Sequence, residues 1–146
     1  EIPGRAKGEM KRKKAGVCLI LFLMALTLTG CISVSEKKEK GKELDFTVVK
    51  EEDLPEEVKS QIEAHKKEAM KLTWSDQGYL YLIRGYGTQK TTGFSVVVDA
   101  LYETEDEIVF RTTLKGPANQ EEAKDYDTSP YVVVKLETTE KPCRFE

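Results

Sequence analysis

From Tyr79 onward the chain is a succession of short β-type runs with no helix-length segment between them. That feature restricts the fold more than any other. Tyr79-Leu80-Tyr81-Leu82-Ile83-Arg84 is apolar on both faces, as a central strand is. Phe94, Val96, Val98 and Ala100 alternate with Ser95, Val97, Asp99 and Leu101. Ile108, Phe110, Thr112 and Leu114 alternate in the same way with Val109, Arg111, Thr113 and Lys115. Tyr131-Val132-Val133-Val134-Lys135-Leu136 forms another run, and Cys143-Arg144-Phe145 a short edge. The links Gly85–Gly93 and Glu103–Glu107 are short and polar, as hairpins require. Parallel neighbours need a long crossover, usually a helix. The runs therefore predict an antiparallel sheet of about five to six strands.

Upstream of the strands one helix is expected. Asp45-Phe46-Thr47-Val48-Val49-Lys50 reads as a strand, and Asp53-Leu54-Pro55-Glu56 as a helix start. Asp53 is placed to cap free amides, Pro55 suits the first turn, and Glu56 completes a D-x-x-E capping box. Leu54, Val58, Ile62 and then Ala69 or Met70 recur at near-helical spacing, predicting one amphipathic helix over 54–71. A single apolar stripe needs a sheet to cover it. The fold class is therefore α+β, an antiparallel sheet with one helix packed against it, over 45–146.

The front of the chain has a different character. Met10 is followed by Lys11-Arg12-Lys13-Lys14 and then by an apolar run from Ala15 to Thr29. A basic stub, an apolar stretch and a small-residue end make the three-part pattern of a secretory signal, over 10–30. Fifteen residues at about 1.5 Å rise span roughly 22 Å, short of the ~30 Å needed to cross a membrane. Leu28-Thr29-Gly30-Cys31 resembles the lipobox of bacterial lipoproteins. The resemblance implies that Cys31 is diacylglycerylated and becomes the first mature residue. That acyl group is the only non-protein component expected; no cofactor or metal is. Two acyl chains suffice for stable anchoring where one is marginal. Residues 1–9, lacking a leading Met, read as an upstream extension. Residues 31–44, rich in mixed charge and poor in apolar side chains, read as a flexible tether.

Charge narrows the function classes. Residues 31–146 carry 17 Lys and Arg against 24 Asp and Glu, a formal net charge of −7. Nucleic acid wants the opposite sign, so it is not an expected partner. Anionic headgroups would repel such a chain too, which leaves the lipid on Cys31 as the membrane attachment. The expected location is extracytoplasmic, lipid-anchored to the cell membrane. Cys18 leaves with the signal and Cys31 is acylated, so Cys143 alone remains and no internal disulfide is expected.

No catalytic constellation stands out. The single histidine, His65, falls in the expected helix, and no G-x-S-x-G, H-E-x-x-H or P-loop spacing occurs. One histidine and one mature thiol besides Cys31 do not make a metal site. Glu103, Glu105, Asp106 and Glu107 read as a solvated turn that discourages edge pairing. The chain is not expected to be an enzyme. Of the aromatics Trp74, Tyr79, Tyr81, Tyr86, Tyr102, Tyr126 and Tyr131, the three at Tyr79, Tyr81 and Tyr131 are expected to pack in or beside the core. Tyr86 and Tyr126 fall in turns and are the better contact candidates, since exposed Tyr anchors interfaces.

Two segments carry a resemblance. The first is Gly85-Tyr86-Gly87-Thr88-Gln89-Lys90-Thr91-Thr92-Gly93-Phe94-Ser95-Val96, a strand end, a Gly- and Thr-rich turn and a Gly-aromatic entry to the next strand. The second is Gly116-Pro117, a polar loop, then Thr128-Ser129-Pro130-Tyr131-Val132-Val133-Val134. In this order and spacing they resemble the PrcB C-terminal domain family, over about 78–146. Where that family often has paired glycines before the aromatic, this chain has Thr92-Gly93-Phe94. The family occurs in bacterial secreted and lipid-anchored proteins and is named for a lipoprotein that associates with a surface protease and stabilises it. The resemblance implies a non-catalytic accessory role and transfers no active site. The expected partner is a protein, a protease complex being the one implied, met through loops Gly85–Gly93 and Gly116–Pro130. Tyr86, Thr91, Gly93 and Tyr126 are the candidate contacts. The rival expectation is a cell-wall or host glycan stacked on exposed tyrosines.

Overall fold

The computed structural model describes residues 41–146, which fall in one compact unit. The signal segment, the lipobox Leu28-Thr29-Gly30, Cys31 and most of the tether lie outside the described residues.

The order of elements is β1 (Lys42–Glu43), β2 (Thr47–Val48), a 3-10 turn (Glu51–Asp53), α1 (Glu56–His65), β3 (Ala69–Asp76), β4 (Tyr79–Tyr86), β5 (Ser95–Glu103), β6 (Ile108–Lys115), β7 (Tyr131–Glu137) and β8 (Cys143–Phe145). The α+β class stands, with one α-helix and mainly antiparallel strands among the described residues. The strands divide between two four-stranded sheets, β1-β5-β6-β8 and β2-β7-β4-β3.

Burial explains the division. Strands β4 and β7 are apolar on both faces, and one helix cannot cover a whole sheet of that kind. Leu80, Leu82, Val132, Val134 and Leu136 face Leu101, Ile108 and Phe110 of the other sheet, forming the inner core. Tyr81, Ile83 and Val133 point the opposite way and pack with Leu54, Val58 and Ile62 around α1. The result is three layers: sheet, sheet and helix. Each added layer removes apolar surface from water at about 25 cal/mol per Å².

Several sequence expectations change in detail. The strand pair β6–β8 is parallel, with Phe110 opposite Phe145. Its crossover is made by β7, a strand of the other sheet, so no helix is needed. The helix ends at His65 instead of running on to 71. Leu54, Val58 and Ile62 hold its buried stripe, whereas Met70 is buried from β3. Asp53 closes the 3-10 turn through its own amide (Asp53 N to Lys50 O, 3.0 Å), and no side chain caps α1, so the expected capping box does not form. Pairing also begins within the stretch read as tether, since Lys42 and Glu43 lie against Glu103 and Tyr102. Of the expected 45–50 strand, Thr47–Val48 pairs with β7, and Val49 N extends the pairing by donating to Val133 O at 2.9 Å.

Strand β3, absent from the sequence reading, forms a full hairpin with β4. Its turn is Gln77-Gly78, both at positive φ (48° and 81°), the two-residue geometry that matches strand twist. In β5 the register shifts between Val98 and Ala100. The shift turns Leu101 into the core at 3% exposure, although simple alternation would place it outward.

Cys143, on edge strand β8, is half-buried beside Glu107. Burial, and next the carboxylate, push its thiol up to about 11. The thiolate is the reactive form, so at pH 8 only about one molecule in a thousand carries it. The folded domain is expected to label with a maleimide orders of magnitude more slowly than the unfolded chain, as timed by mass spectrometry. Because the folded value is raised, stability is unaffected below the unfolded pKa of about 8.5 and declines as pH rises from there towards 11.

Candidate functional site

At one end of the sandwich the two loops expected at Gly85–Gly93 and Gly116–Pro130, which the strand ends set at 87–94 and 116–130, are joined to each other. Gln89 and Thr128 exchange backbone hydrogen bonds in both directions (2.7 and 2.9 Å). Thr92 N donates to Lys124 O at 3.0 Å, and Lys124 N donates back to Thr92 Oγ1 at 2.9 Å. Thr128 Oγ1 donates to Thr91 O at 2.7 Å. Below them Tyr86 N donates to Pro130 O, continuing the β4–β7 ladder out of the sheet. These bonds satisfy loop amides that would otherwise need water, so the loops present one surface rather than two separate tips.

Gly93 locks this arrangement. Its φ is +90°, and a Cβ there would stand 2.7 Å from Pro117 Cβ. Only glycine combines that backbone with that approach. The Lys90–Asp127 pair at 3.5 Å is exposed on both sides and contributes little.

Of the four candidate contacts, Thr91, Gly93 and Tyr126 lie on these joined loops. Tyr126 stands clear, 56% exposed, and is the large aromatic of the surface. Thr91 is half-buried, with its carbonyl engaged. Tyr86 is not in a turn. It is the last residue of β4, its ring lies 4.0 Å from the Arg84 guanidinium, and its hydroxyl meets Thr112 Oγ1 at 2.7 Å. Tyr86 thus supports the loops from beneath.

The other aromatics form a row that sequence spacing did not reveal. Trp74, Tyr81 and Lys135 are consecutive partners across β3, β4 and β7. Lys135 Nζ lies 4.0 Å over the ring of Tyr79 and 5.8 Å from that of Tyr81. A sugar stacking on Tyr79 would have to displace that ammonium. The face is therefore less open than the glycan expectation requires.

Between the loops and α1, Tyr131 lines a polar cleft with Glu51, Glu63, Lys67 and Asp127. Burial first, then Glu51 and Glu63, push its phenol up, so it stays a neutral donor at physiological pH. His65 is exposed at the end of α1, and no hydrogen bond joins its ring to a nucleophile among the described residues. No group of three or more potential metal ligands occurs among the described residues. Nor is any described helix long and apolar enough to cross a membrane.

Two stacked sheets, a helix on one outer face and a surface built from two interlocked loops define an α+β sandwich domain whose strands β4 to β7 carry both the core and the loops. Those same strands match a known family: residues 80–137 fit the model described as PrcB C-terminal. Over those strands the chain is similar to the PrcB C-terminal family. No curated protein and no solved structure matches the chain.

Proposed function

We propose that this chain is a lipid-anchored accessory protein whose PrcB C-terminal domain binds a folded protein partner, a protease complex, and stabilises it. The family match over 80–137 carries the reading, because it spans both interlocked loops and the strands that hold them. The name of the family points to association with a protease complex. The domain supplies binding, not catalysis. Cys31 supplies the anchor, and the acidic mature chain keeps the domain off anionic headgroups and off nucleic acid.

Mechanistically the role is mass action. A protein that binds the folded partner and not its unfolded chain adds RT ln(1 + [L]/Kd), about 2.7 kcal/mol at a hundredfold excess over Kd. A loop surface already tied together by Gln89–Thr128 and Thr92–Lys124 loses little further freedom on binding. Tyr126 is the anchor available for burial at such an interface.

Crosslinking in native membranes, followed by affinity capture and mass spectrometry, tests this. A protease is expected to co-purify, and its steady-state level to fall when the chain is deleted. The Cys31→Ala variant is expected to leave the membrane fraction and to lose the capture. Capture of no protein beyond that control would defeat the accessory reading.

A further inference from the structure

The two sheets have four edges, and three are blunt: β1 and β2 have two residues each and β8 three. The fourth, β3, is eight residues long and pairs on one side only. Tyr86 N bonding to Pro130 O shows that even residues of β4 face β7. Odd residues of β4 therefore bond to the even residues of β3. The backbone N–H and C=O of Ala69, Lys71, Thr73 and Ser75 are thus turned to the open edge.

The two faces flanking this edge have opposite chemistry. On the helix side, Leu72 and Trp74 with Val58 and Gln61 of α1 line an apolar groove of about 230 Å³. On the other side all four odd residues of β3 are exposed, and Lys71 lies directly opposite Arg84 on β4. This is a non-hydrogen-bonded position, where side chains are closest, and like charges there repel. Neither cation forms an ion pair with a described carboxylate. Arg84 Nε is buried with no hydrogen-bond partner, while its Nη1 reaches only the carbonyls of Gly85 (2.5 Å) and Met70 (3.5 Å). Among the described residues these two adjacent cations have no carboxylate counterion, Arg84 resting instead on the Tyr86 ring and two carbonyls, and they lie beside the longest open edge. A lone edge lysine is explained as a guard against aggregation. A second cation placed directly opposite it is not, since the Tyr86 ring holds Arg84 but leaves its charge unpaired by any described carboxylate.

We propose that β3 is a strand-addition site, and that its occupant is an extended segment of a partner protein alternating acidic and apolar residues. Main-chain bonds to Ala69, Lys71, Thr73 and Ser75 hold the added strand. Its acidic side chains lie over Lys71 and Arg84, and its apolar ones enter the groove beside Trp74. A second copy fits worse, since two β3 strands would bring Lys71 and Arg84 of both copies to one face. The inference rests on the partner-binding reading but uses a surface apart from the loops.

The probes are two short capped peptides, one alternating Glu with Val and one alternating Lys with Val. Trp74 is the only tryptophan of the chain, so its fluorescence reports binding directly. The Glu peptide is expected to bind and to slow amide exchange at Ala69, Lys71, Thr73 and Ser75; the Lys peptide is not. Lys71→Glu is expected to weaken the Glu peptide about fivefold, the scale of one exposed ion pair, and to admit the Lys peptide. Thr73→Pro, which removes an edge amide but no ladder bond, is expected to abolish binding. If that variant misfolds, the charge swap at Lys71 still decides. Equal binding of both peptides, protection elsewhere, or self-association that protects these amides without peptide would overturn the proposal. Peptide binding without protease capture would sink the accessory function and leave this site. Capture that survives Lys71→Glu and Thr73→Pro, without peptide binding, would do the reverse.

Discussion

Phe110→Ala is expected to cost the domain about 3–5 kcal/mol, the range for truncating a fully buried aromatic, out of a typical total of about 5–15. Phe110 is 0% exposed at the centre of β6, between β5 and β8, and faces the second sheet. Its ring meets Phe145 edge-on at 5.8 Å. The residue therefore joins three things at once: the two sheets, the β5–β6 ladder and the parallel β8. Its backbone also receives the C-terminus, with Glu146 N donating to Phe110 O at 2.9 Å. Truncation leaves a cavity that the surrounding strands cannot close without giving up their pairing. For a domain of this size each kcal/mol corresponds to roughly 4–8 °C in Tm, so a fall of at least about 12 °C is expected by scanning calorimetry. Phe145→Ala, at a half-buried edge position, is expected to cost less than half as much. Equal losses at the two positions would show that β8, and not the inter-sheet core, limits stability.

That contrast also marks where the sequence was legible. Strands β4 and β7 declared themselves because two-sided burial leaves continuous apolar runs, and β5 and β6 because their residues alternate. What those runs did not disclose was that two-sided strands need a second sheet. Two such strands side by side exceed what one helix covers, and counting buried faces instead of strands would have pointed to a second sheet. Strand β3 was hidden for two reasons. Ala69 and Met70 continue the helical spacing of Leu54, Val58 and Ile62, and Gln77-Gly78 lacks the Asn or Asp that usually advertises such a turn. The bulge that turns Leu101 inward has no local signal at all, because Asp99 sits there among valines.

The candidate site divides in the same way. Tyr126 was legible as an exposed loop aromatic, because nothing near it in sequence could bury it. Tyr86 was not, since its partners Thr112 and Arg84 are chosen by the way β4 stacks on β6. The juxtaposition of Lys71 and Arg84 is a consequence of hairpin register alone. It becomes visible only once the Gln77-Gly78 turn fixes which residues oppose each other.

Gly93→Val tests whether the joined loops matter as a surface. A β-branched residue at φ +90° is strained by about 1–3 kcal/mol wherever it occurs. Here the added Cβ also meets Pro117 at 2.7 Å, and both neighbours belong to the platform itself. The strain is relieved by letting loop 87–94 part from loop 116–130. Neither loop contributes to the two buried cores, so the sandwich is expected to stay folded, with its Tm lowered by far less than in Phe110→Ala. The amides of Gln89, Thr92 and Thr128 are expected to lose their exchange protection. Partner capture is expected to fall at least tenfold, because apparent affinity drops with the fraction of molecules whose loops remain joined. Thr91→Ala is the control for the exchange readout alone, since the joined loops use the carbonyl of Thr91 and not its hydroxyl, and protection at Gln89, Thr92 and Thr128 is expected to stay. Loss of protection with undiminished capture would move the partner surface away from these loops. The long free edge of β3 would then be the remaining place to look.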